Sequence, residues 1–135
     1  MSDNGFVGLV IVSHSAPLAQ GLADLVGQVA GPDVAIEAIG GGPGETLGTD
    51  GDRVLEALRR AAQGSGSVVL MDLGSSVLAV KAALGELGED ARGRLRVADA
   101  PLVEGAVAAG VTASTGDDAD GVLRAAEEAR HARKL

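Results

Sequence analysis

Hydrophobic and polar positions alternate in blocks along this chain of 135 residues. Short apolar runs rich in β-branched residues are typical of buried parallel strands, and they predict strands at residues 7–12, 34–39, 68–71 and 95–98. Between them apolar residues recur at helical spacing, which predicts helices at residues 16–30, 50–62, 76–87, 102–113 and 119–132. This alternation predicts an α/β fold with a mostly parallel, four-stranded, doubly wound sheet and helices on both faces.

The composition fits one domain with an aliphatic core. No linker or low-complexity tract divides the chain, so we expect residues 1–135 to form a single domain. Hydrophobic residues make up 46% of the chain, and Phe6 is the sole aromatic residue. A core of aliphatic side chains suits a parallel sheet covered by helices. The lack of other aromatic residues leaves no platform on which nucleic-acid bases could stack. A net charge of −8 also disfavours binding to phosphate backbones. We therefore expect no nucleic-acid partner.

The same features bear on membranes and metals. No apolar stretch approaches the roughly 20 residues that a spanning helix needs, and the first residues lack the basic segment of a secretory leader. We therefore expect a cytoplasmic protein without a membrane partner. The chain has no cysteine and only two histidines, with no second ligand at metal spacing, so we expect no metal and no cofactor.

His14 is the most informative candidate for chemistry. It follows the first predicted strand and precedes the first helix, at the edge where ligands collect in open α/β sheets. A neutral imidazole is a competent nucleophile toward phosphorus, so this position predicts a phosphoryl carrier. The alternative is a histidine that only fills a turn by hydrogen bonding. His131 lies in a charged tail and is interpreted as part of a solvated helix end.

Asp72 follows the third predicted strand as His14 follows the first. In a doubly wound sheet these two strands are commonly neighbours, which would bring both side chains to one edge. The carboxylate could then accept a hydrogen bond from Nδ1–H of His14 and leave Nε2 free to attack. By itself Asp72 could be a turn former or a helix cap, but the pairing with His14 favours an orienting role.

Serines surround both candidates. Ser15 and Ser75 lie where helices begin, so each could cap a helix and help its free amides bind phosphate, and Ser76 invites the same interpretation. Strand alternation points Ser13 away from His14, and the sequence has no nucleophile elbow, which argues against a Ser–His–Asp hydrolase.

The segment 40–51 holds six glycines, which is unusual for a strand-to-helix connection. It is either a surface loop or a loop that lets the backbone approach a ligand. Thr49 or Asp50 at its end could cap the second helix. If the loop folds over His14, Thr49 could also contact phosphate. The glycine spacing matches neither a Walker A motif nor a dinucleotide fingerprint.

Four segments together resemble a known family. They are Gly-Leu-Val-Ile-Val-Ser-His-Ser at 8–15, Gly-Thr-Asp at 48–50, Val-Leu-Met-Asp-Leu-Gly-Ser at 69–75 and Ala-Pro-Leu-Val-Glu-Gly at 100–105. In this order they resemble the phosphoryl-donor subunits of phosphotransferase-dependent dihydroxyacetone kinases (DhaM), which belong to the mannose-type enzyme IIA family. The resemblance covers residues 7–117 and implies the mannose-type enzyme IIA fold.

This resemblance also implies a function and its residues. It implies that the phosphocarrier HPr phosphorylates a histidine, which then phosphorylates ADP held on a separate nucleotide-binding kinase subunit. His14 matches the phosphohistidine, Asp72 the orienting acid, and Ser75 and Thr49 the phosphate site. The resemblance further implies a homodimer. Because the chain ends at Leu135, we expect the preceding phosphocarriers to be separate proteins.

Three other functions stay open at this point. The first is the enzyme IIA domain of a mannose-type sugar transporter, although such domains typically carry tryptophan, two glycines, serine and proline after the aspartate. This chain has Leu-Gly-Ser-Ser at 73–76 instead. The second is a regulatory module that is phosphorylated but passes the group to no kinase, and the third is a degenerate interaction domain that is not phosphorylated.

Overall fold

Four parallel strands form the central sheet: β1 (Gly8–Ser13), β2 (Ile36–Gly40), β3 (Ser67–Met71) and β4 (Leu95–Val97). They lie in the order β2-β1-β3-β4, so β1 is next to both β2 and β3. The computed structural model describes residues 5–42 and 46–135, so residues 43–45 of the glycine-rich segment lie outside the described residues. The observed order confirms the predicted parallel sheet and the adjacency of the first and third strands.

The described residues form six α-helices beside this sheet: α1 (Ala16–Ala30), α2 (Gly51–Ala61), α3 (Gly74–Gly85), α4 (Glu89–Gly93), α5 (Leu102–Ser114) and α6 (Ala119–Glu128). Alternate residues of β1 belong to two separate cores. Leu9 and Ile11 pack with α1, α5 and α6, whereas Val10 and Val12 pack with α2 and α3. Burial on both faces explains why β1 is apolar without interruption, and it confirms the predicted helices on both faces. Within the described ranges, no helix has the length and apolar character required to traverse a bilayer.

The bounds of several elements differ from the predicted ones by one or two residues: β2 begins at Ile36 and not at residue 34, and α3 begins at Gly74, two residues before the predicted start. The five-residue α4 was not predicted, because Glu-Asp-Ala-Arg-Gly has no apolar repeat at helical spacing. The last helix ends at Glu128 and continues only as a 3₁₀ turn over Ala129–His131, where the sequence predicted one helix to residue 132.

Gly40 brings the end of β2 against the start of α1. A Cβ atom on Gly40 would lie 2.4 Å from the carbonyl oxygen of Ser15 and 2.7 Å from the Cα of Ala16. Both of these are backbone atoms, so they cannot move aside as a flexible side chain would. The absence of a side chain at Gly40 therefore fixes how closely the backbone that follows His14 approaches the sheet.

Replacing this glycine tests the close approach. We expect Gly40→Ala to lower the free energy of unfolding by about 1–3 kcal/mol, because the added methyl overpacks two backbone segments. Gly27→Ala is the matched control: a Cβ there meets no atom within 4 Å, and alanine in a helix is favoured over glycine by roughly 1 kcal/mol. Urea unfolding of both variants measures the difference. An equal or higher stability for Gly40→Ala would contradict the packing described.

Candidate functional site

The sheet brings His14 and Asp72 together at the carboxyl ends of β1 and β3. Val12 pairs with Met71 in the parallel register between these strands. The amide of Asp72 then donates to the carbonyl of Val12 at 3.1 Å, which extends the pairing past the end of β3. The residues that follow both strands are therefore held side by side, as the sequence predicts.

Asp72 accepts five hydrogen bonds. Its Oδ1 atom lies 2.9 Å from Nδ1 of His14, 2.8 Å from the Ser76 hydroxyl and 2.6 Å from the amide nitrogen of Leu73. Its Oδ2 atom accepts from the Ser13 hydroxyl at 2.8 Å and from the amide of His14 at 3.0 Å. Both carboxylate oxygens are thus held by donors from β1 and from the start of α3, and the side chain has one fixed orientation.

These hydrogen bonds determine the charge of Asp72. Partial burial alone would raise the pKa of the carboxyl group. Hydrogen bonds from the amide of His14, from the hydroxyls of Ser76 and Ser13 and from the His14 side chain outweigh that effect and hold the pKa well below its usual value. The carboxylate is therefore ionised at neutral pH and can only accept a hydrogen bond from the imidazole.

The ionised carboxylate selects one tautomer of a neutral His14. Because Asp72 has no proton to give, the contact at 2.9 Å requires the hydrogen to lie on Nδ1. The lone pair of the ring is then on Nε2, which contacts the hydroxyl of Ser75. Ser75 is exposed in the first turn of α3, and the His14 side chain is 24% exposed. The ring nitrogen that carries the lone pair thus lies beside an exposed hydroxyl group.

Ser15 caps α1, as the sequence predicts. Its hydroxyl accepts a hydrogen bond from the amide of Leu18 at 3.3 Å, and its backbone is extended, as is usual for an N-cap. Its own amide donates to the Ser13 hydroxyl at 3.1 Å. The structure therefore connects Ser15 to the donors around Asp72, whereas its contact with phosphate stays a prediction.

The glycine-rich segment does reach His14, through its backbone. The amide of Gly48 donates to the carbonyl of His14 at 2.9 Å, and Thr49 forms an isolated parallel bridge with Gly41. Asp50, not Thr49, caps α2 with its side chain. Among the residues described, the Thr49 side chain makes no hydrogen bond to His14, so its contact with phosphate also stays a prediction.

The contacts of Ser13 and Ser76 with Asp72 were not predicted from the sequence. The prediction that Ser75 or Ser76 caps α3 is wrong, because Leu73 occupies the cap position and no side chain caps that helix. Ser13 and Ser76 are instead fully buried against Asp72. The signal lies in the register: once Val12 pairs with the residue before Asp72, Ser13 must lie beside the carboxylate.

Replacing Asp72 by asparagine tests these hydrogen bonds. The asparagine side chain has one acceptor oxygen where aspartate has two. Its NH₂ group must therefore face the backbone N–H of either His14 or Leu73. We expect Asp72→Asn to lower the free energy of unfolding at pH 7 by about 1–3 kcal/mol. Because the pKa of Asp72 is lowered in the folded state, its contribution is complete above the ordinary value of 3.8 and is lost as the pH falls further.

Urea unfolding at pH 7, 5 and 3 measures this dependence. The difference between the wild type and Asp72→Asn should shrink between pH 5 and pH 3. Asp24→Asn, at an exposed position of α1, is the control and should change stability by less than about 0.5 kcal/mol. If the free energies of unfolding of the wild type and Asp72→Asn differ by the same amount at all three pH values, the ionised carboxylate does not contribute as described.

Comparisons with known proteins agree with this geometry. The EIIA-man family, described as the fructose IIA component of the phosphotransferase system, matches residues 8–123. The phosphoryl donor subunit DhaM of the PEP-dependent dihydroxyacetone kinase of Escherichia coli K12 is 39% identical over 131 residues, which are 95% of this chain and 28% of that protein. The phosphotransferase subunit DhaM of Lactococcus lactis is 34% identical over 109 residues, 81% of this chain and 84% of that subunit.

This chain thus spans only 28% of the length of its Escherichia coli relative. Among solved structures, a protein of unknown function superimposes with a TM-score of 0.82 at 31% identity, covering 91% of this chain and 94% of its own. An EIIA component of the phosphotransferase system from Streptococcus agalactiae has the same fold, with a TM-score of 0.68 at 18% identity over 93% of this chain and 92% of its own. The chain therefore belongs to the EIIA-man family of the phosphotransferase system.

Proposed function

We propose that this chain is a phosphohistidine carrier. His14 accepts a phosphoryl group from HPr and passes it to ADP on the nucleotide-binding subunit of a dihydroxyacetone kinase. The chain does so in the cytoplasm, as one mannose-type enzyme IIA-like domain. The observation that carries the proposal is the placement of His14 between an ionised Asp72 on Nδ1 and the exposed Ser75 on Nε2. The similarity to DhaM subunits supports the choice of acceptor.

The first step is an exchange of one phosphorus–nitrogen bond for another. The Nε2 lone pair of His14 attacks the phosphorus of phosphorylated HPr, the bond between phosphorus and the HPr histidine breaks, and its electron pair stays on that histidine. The hydrogen on Nδ1 does not move. Asp72 stabilises the positive charge that spreads over the ring as the new bond forms, because its carboxylate lies 2.9 Å from Nδ1.

Hydroxyl and amide donors then hold the phosphoryl group. Ser75 contacts Nε2 and is exposed, so its hydroxyl can turn toward a phosphoryl oxygen once the nitrogen carries the group. Ser15 lies at the N-terminus of α1, where the helix dipole favours an anion. Thr49 follows Gly48, whose amide donates to the carbonyl of His14, so we assign the Thr49 hydroxyl as a third donor to the phosphoryl group.

The second step regenerates the neutral histidine. A terminal phosphate oxygen of ADP attacks the phosphorus, and Nε2 leaves with the electron pair of the broken bond. Because the phosphohistidine is already activated, this chain needs no metal of its own for the step, and the kinase subunit supplies the nucleotide with its magnesium. The kinase then uses the ATP to phosphorylate dihydroxyacetone.

Intact-mass spectrometry tests the carrier role. After incubation with phosphoenolpyruvate, enzyme I and HPr, we expect the wild type to gain one acid-labile phosphoryl group and His14→Ala to gain none. His131→Ala is the matched control, because it removes the other histidine, which is exposed, and should label fully. Adding the two kinase subunits with ADP and dihydroxyacetone should then discharge the label.

Each other outcome points to a different function. A label that appears on His14 but is not discharged by the kinase subunits would reject the acceptor and favour a transporter or regulatory domain. A label that persists in His14→Ala would place the phosphoryl group elsewhere. Complete absence of labelling would reject the proposed transfer of a phosphoryl group from HPr to His14.

We further propose that the carrier is a homodimer that associates through α1 and α5. These helices pack against each other, and both expose apolar side chains to solvent: Leu25 and Val29 on α1, Val103 and Val111 on α5. Exposed apolar side chains on two packed helices are compatible with a protein–protein interface. The surface lies on the side of the sheet opposite to α2 and α3.

Sedimentation velocity of one charged variant tests the dimer. We expect Val111→Asp to shift the protein to monomer at micromolar concentration, because an aspartate would be buried without a partner in the interface. Leu78→Asp is the control, since Leu78 is also exposed but lies on α3. A monomeric wild type, or a Val111→Asp variant that remains as dimeric as the control, would contradict this interface.

A further inference from the structure

Two fully buried hydroxyls hold the carboxylate of Asp72, one on each oxygen. Ser13 lies 2.8 Å from Oδ2 and Ser76 lies 2.8 Å from Oδ1, and neither residue is exposed to solvent. Burial of a hydroxyl is unfavourable unless it is hydrogen-bonded, so each serine is committed to the partner that it has here. The two serines form a clamp around the carboxylate.

Each hydroxyl has a single hydrogen, and its surroundings fix where that hydrogen points. The Ser13 hydroxyl accepts from the amide of Ser15 at 3.1 Å, so its own hydrogen goes to Asp72. The Ser76 oxygen lies 2.8 Å from Oδ1 of Asp72 and 3.2 Å from Nδ1 of His14. Its hydrogen goes to the ionised carboxylate, so it presents a lone pair to Nδ1. Both groups beside Nδ1 are therefore acceptors.

The clamp also limits how strongly Asp72 attracts a second proton to His14. A carboxylate without other donors would concentrate its charge on the imidazole and favour the imidazolium ion. An imidazolium has no lone pair on Nε2 and cannot attack phosphorus. Hydrogen bonds from Ser13 and Ser76 spread the charge over two further donors, which weakens this effect while the carboxylate stays in place.

We propose that Ser13 and Ser76 are positioning residues that hold Asp72 and share its charge, which keeps the proton of a neutral His14 on Nδ1 and its lone pair on Nε2. The inference concerns the same histidine as the proposed phosphocarrier function and rests on it. Two serines that need not contact the phosphoryl group would thus keep the Nε2 lone pair of His14 available for attack.

Other charged groups around the site do not replace the clamp. Lys81 of α3 and Asp99, which follows β4, line a cavity of about 330 Å³ together with Asp72. Asp50 uses its side chain to cap α2. In the part of the chain that the structure describes, none of these three groups forms an ion pair with His14 or Asp72. The carboxylate is stabilised by hydrogen bonds from His14, the two serine hydroxyls and backbone amides.

The test compares Ser13→Ala, Ser76→Ala and the double variant with Ser67→Ala. Ser67 is a matched control, because its hydroxyl is also buried but donates to the carbonyl of Ala61, away from the site. Two readouts are needed: the ¹⁵N shifts of the His14 ring against pH, and the rate at which phosphoramidate, a small phosphoryl donor, modifies His14 between pH 6 and 9. Neither readout depends on a partner protein.

We expect the acid limb of the rate profile and the ¹⁵N titration to move to higher pH by about half a unit in each single variant and about one unit in the double variant. On the acid limb the double variant should react up to about tenfold more slowly than wild type, because one pH unit is a factor of ten in the neutral fraction, and most of this loss should vanish at pH 8.5. Ser67→Ala should match wild type in both readouts. If the double variant does not fold, the single variants provide the same test, with about half the expected shift in pH.

Two results would overturn the inference. One is a titration and a rate profile for the Ser13 and Ser76 variants that coincide with those of Ser67→Ala. The other is a loss of rate that is equal at every pH, which would indicate a structural role only. Failure of the proposed function gives a different result. In that case the rate profile with phosphoramidate shifts as expected in the serine variants, but phosphorylated HPr does not label the wild type. HPr would then be the wrong partner, and the role of the two serines would stand.

Discussion

The five hydrogen bonds to the carboxylate of Asp72 are the interaction on which the site depends. They connect the end of β1, the end of β3 and the first turn of α3 through one side chain. They also keep the carboxylate ionised, since the hydrogen bonds outweigh the burial that would raise its pKa. The tautomer of a neutral His14, and with it the position of the lone pair on the ring, follows from that charge.

The sheet makes this arrangement possible. Parallel strands end at the same edge, and the order β2-β1-β3-β4 places the two central strands next to each other. Their residues are buried on both faces, so the first polar residues after each strand are the ones that can reach solvent. Gly40 brings β2 close to the backbone after His14, which completes one side of the site.

Much of this could be predicted from the sequence. The apolar runs locate all four strands, most clearly the central strands β1 and β3, which are buried on both faces and almost entirely apolar. His14 and Asp72 could be paired because each follows such a run, and the alternation of strands and helices makes those two strands neighbours. The capping role of Ser15 follows from its residue type and its position before a helical repeat.

The remaining details depend on tertiary contacts that local patterns do not encode. The role of Ser13 requires the register between β1 and β3, and that of Ser76 requires the true start of α3 at Gly74. Asp50 rather than Thr49 caps α2, and both residue types satisfy the same local rule. The short α4 is too polar to show a helical repeat.

The most direct test of the central claim is the position of the phosphoryl group on the ring. Two-bond ¹H–¹⁵N spectra of the phosphorylated protein, labelled with ¹⁵N at histidine, distinguish the two ring nitrogens. We expect phosphorus on Nε2 of His14, with the hydrogen retained on Nδ1 beside Asp72. Phosphorus on Nδ1 would contradict it, because that nitrogen would then have lost its hydrogen bond to the carboxylate.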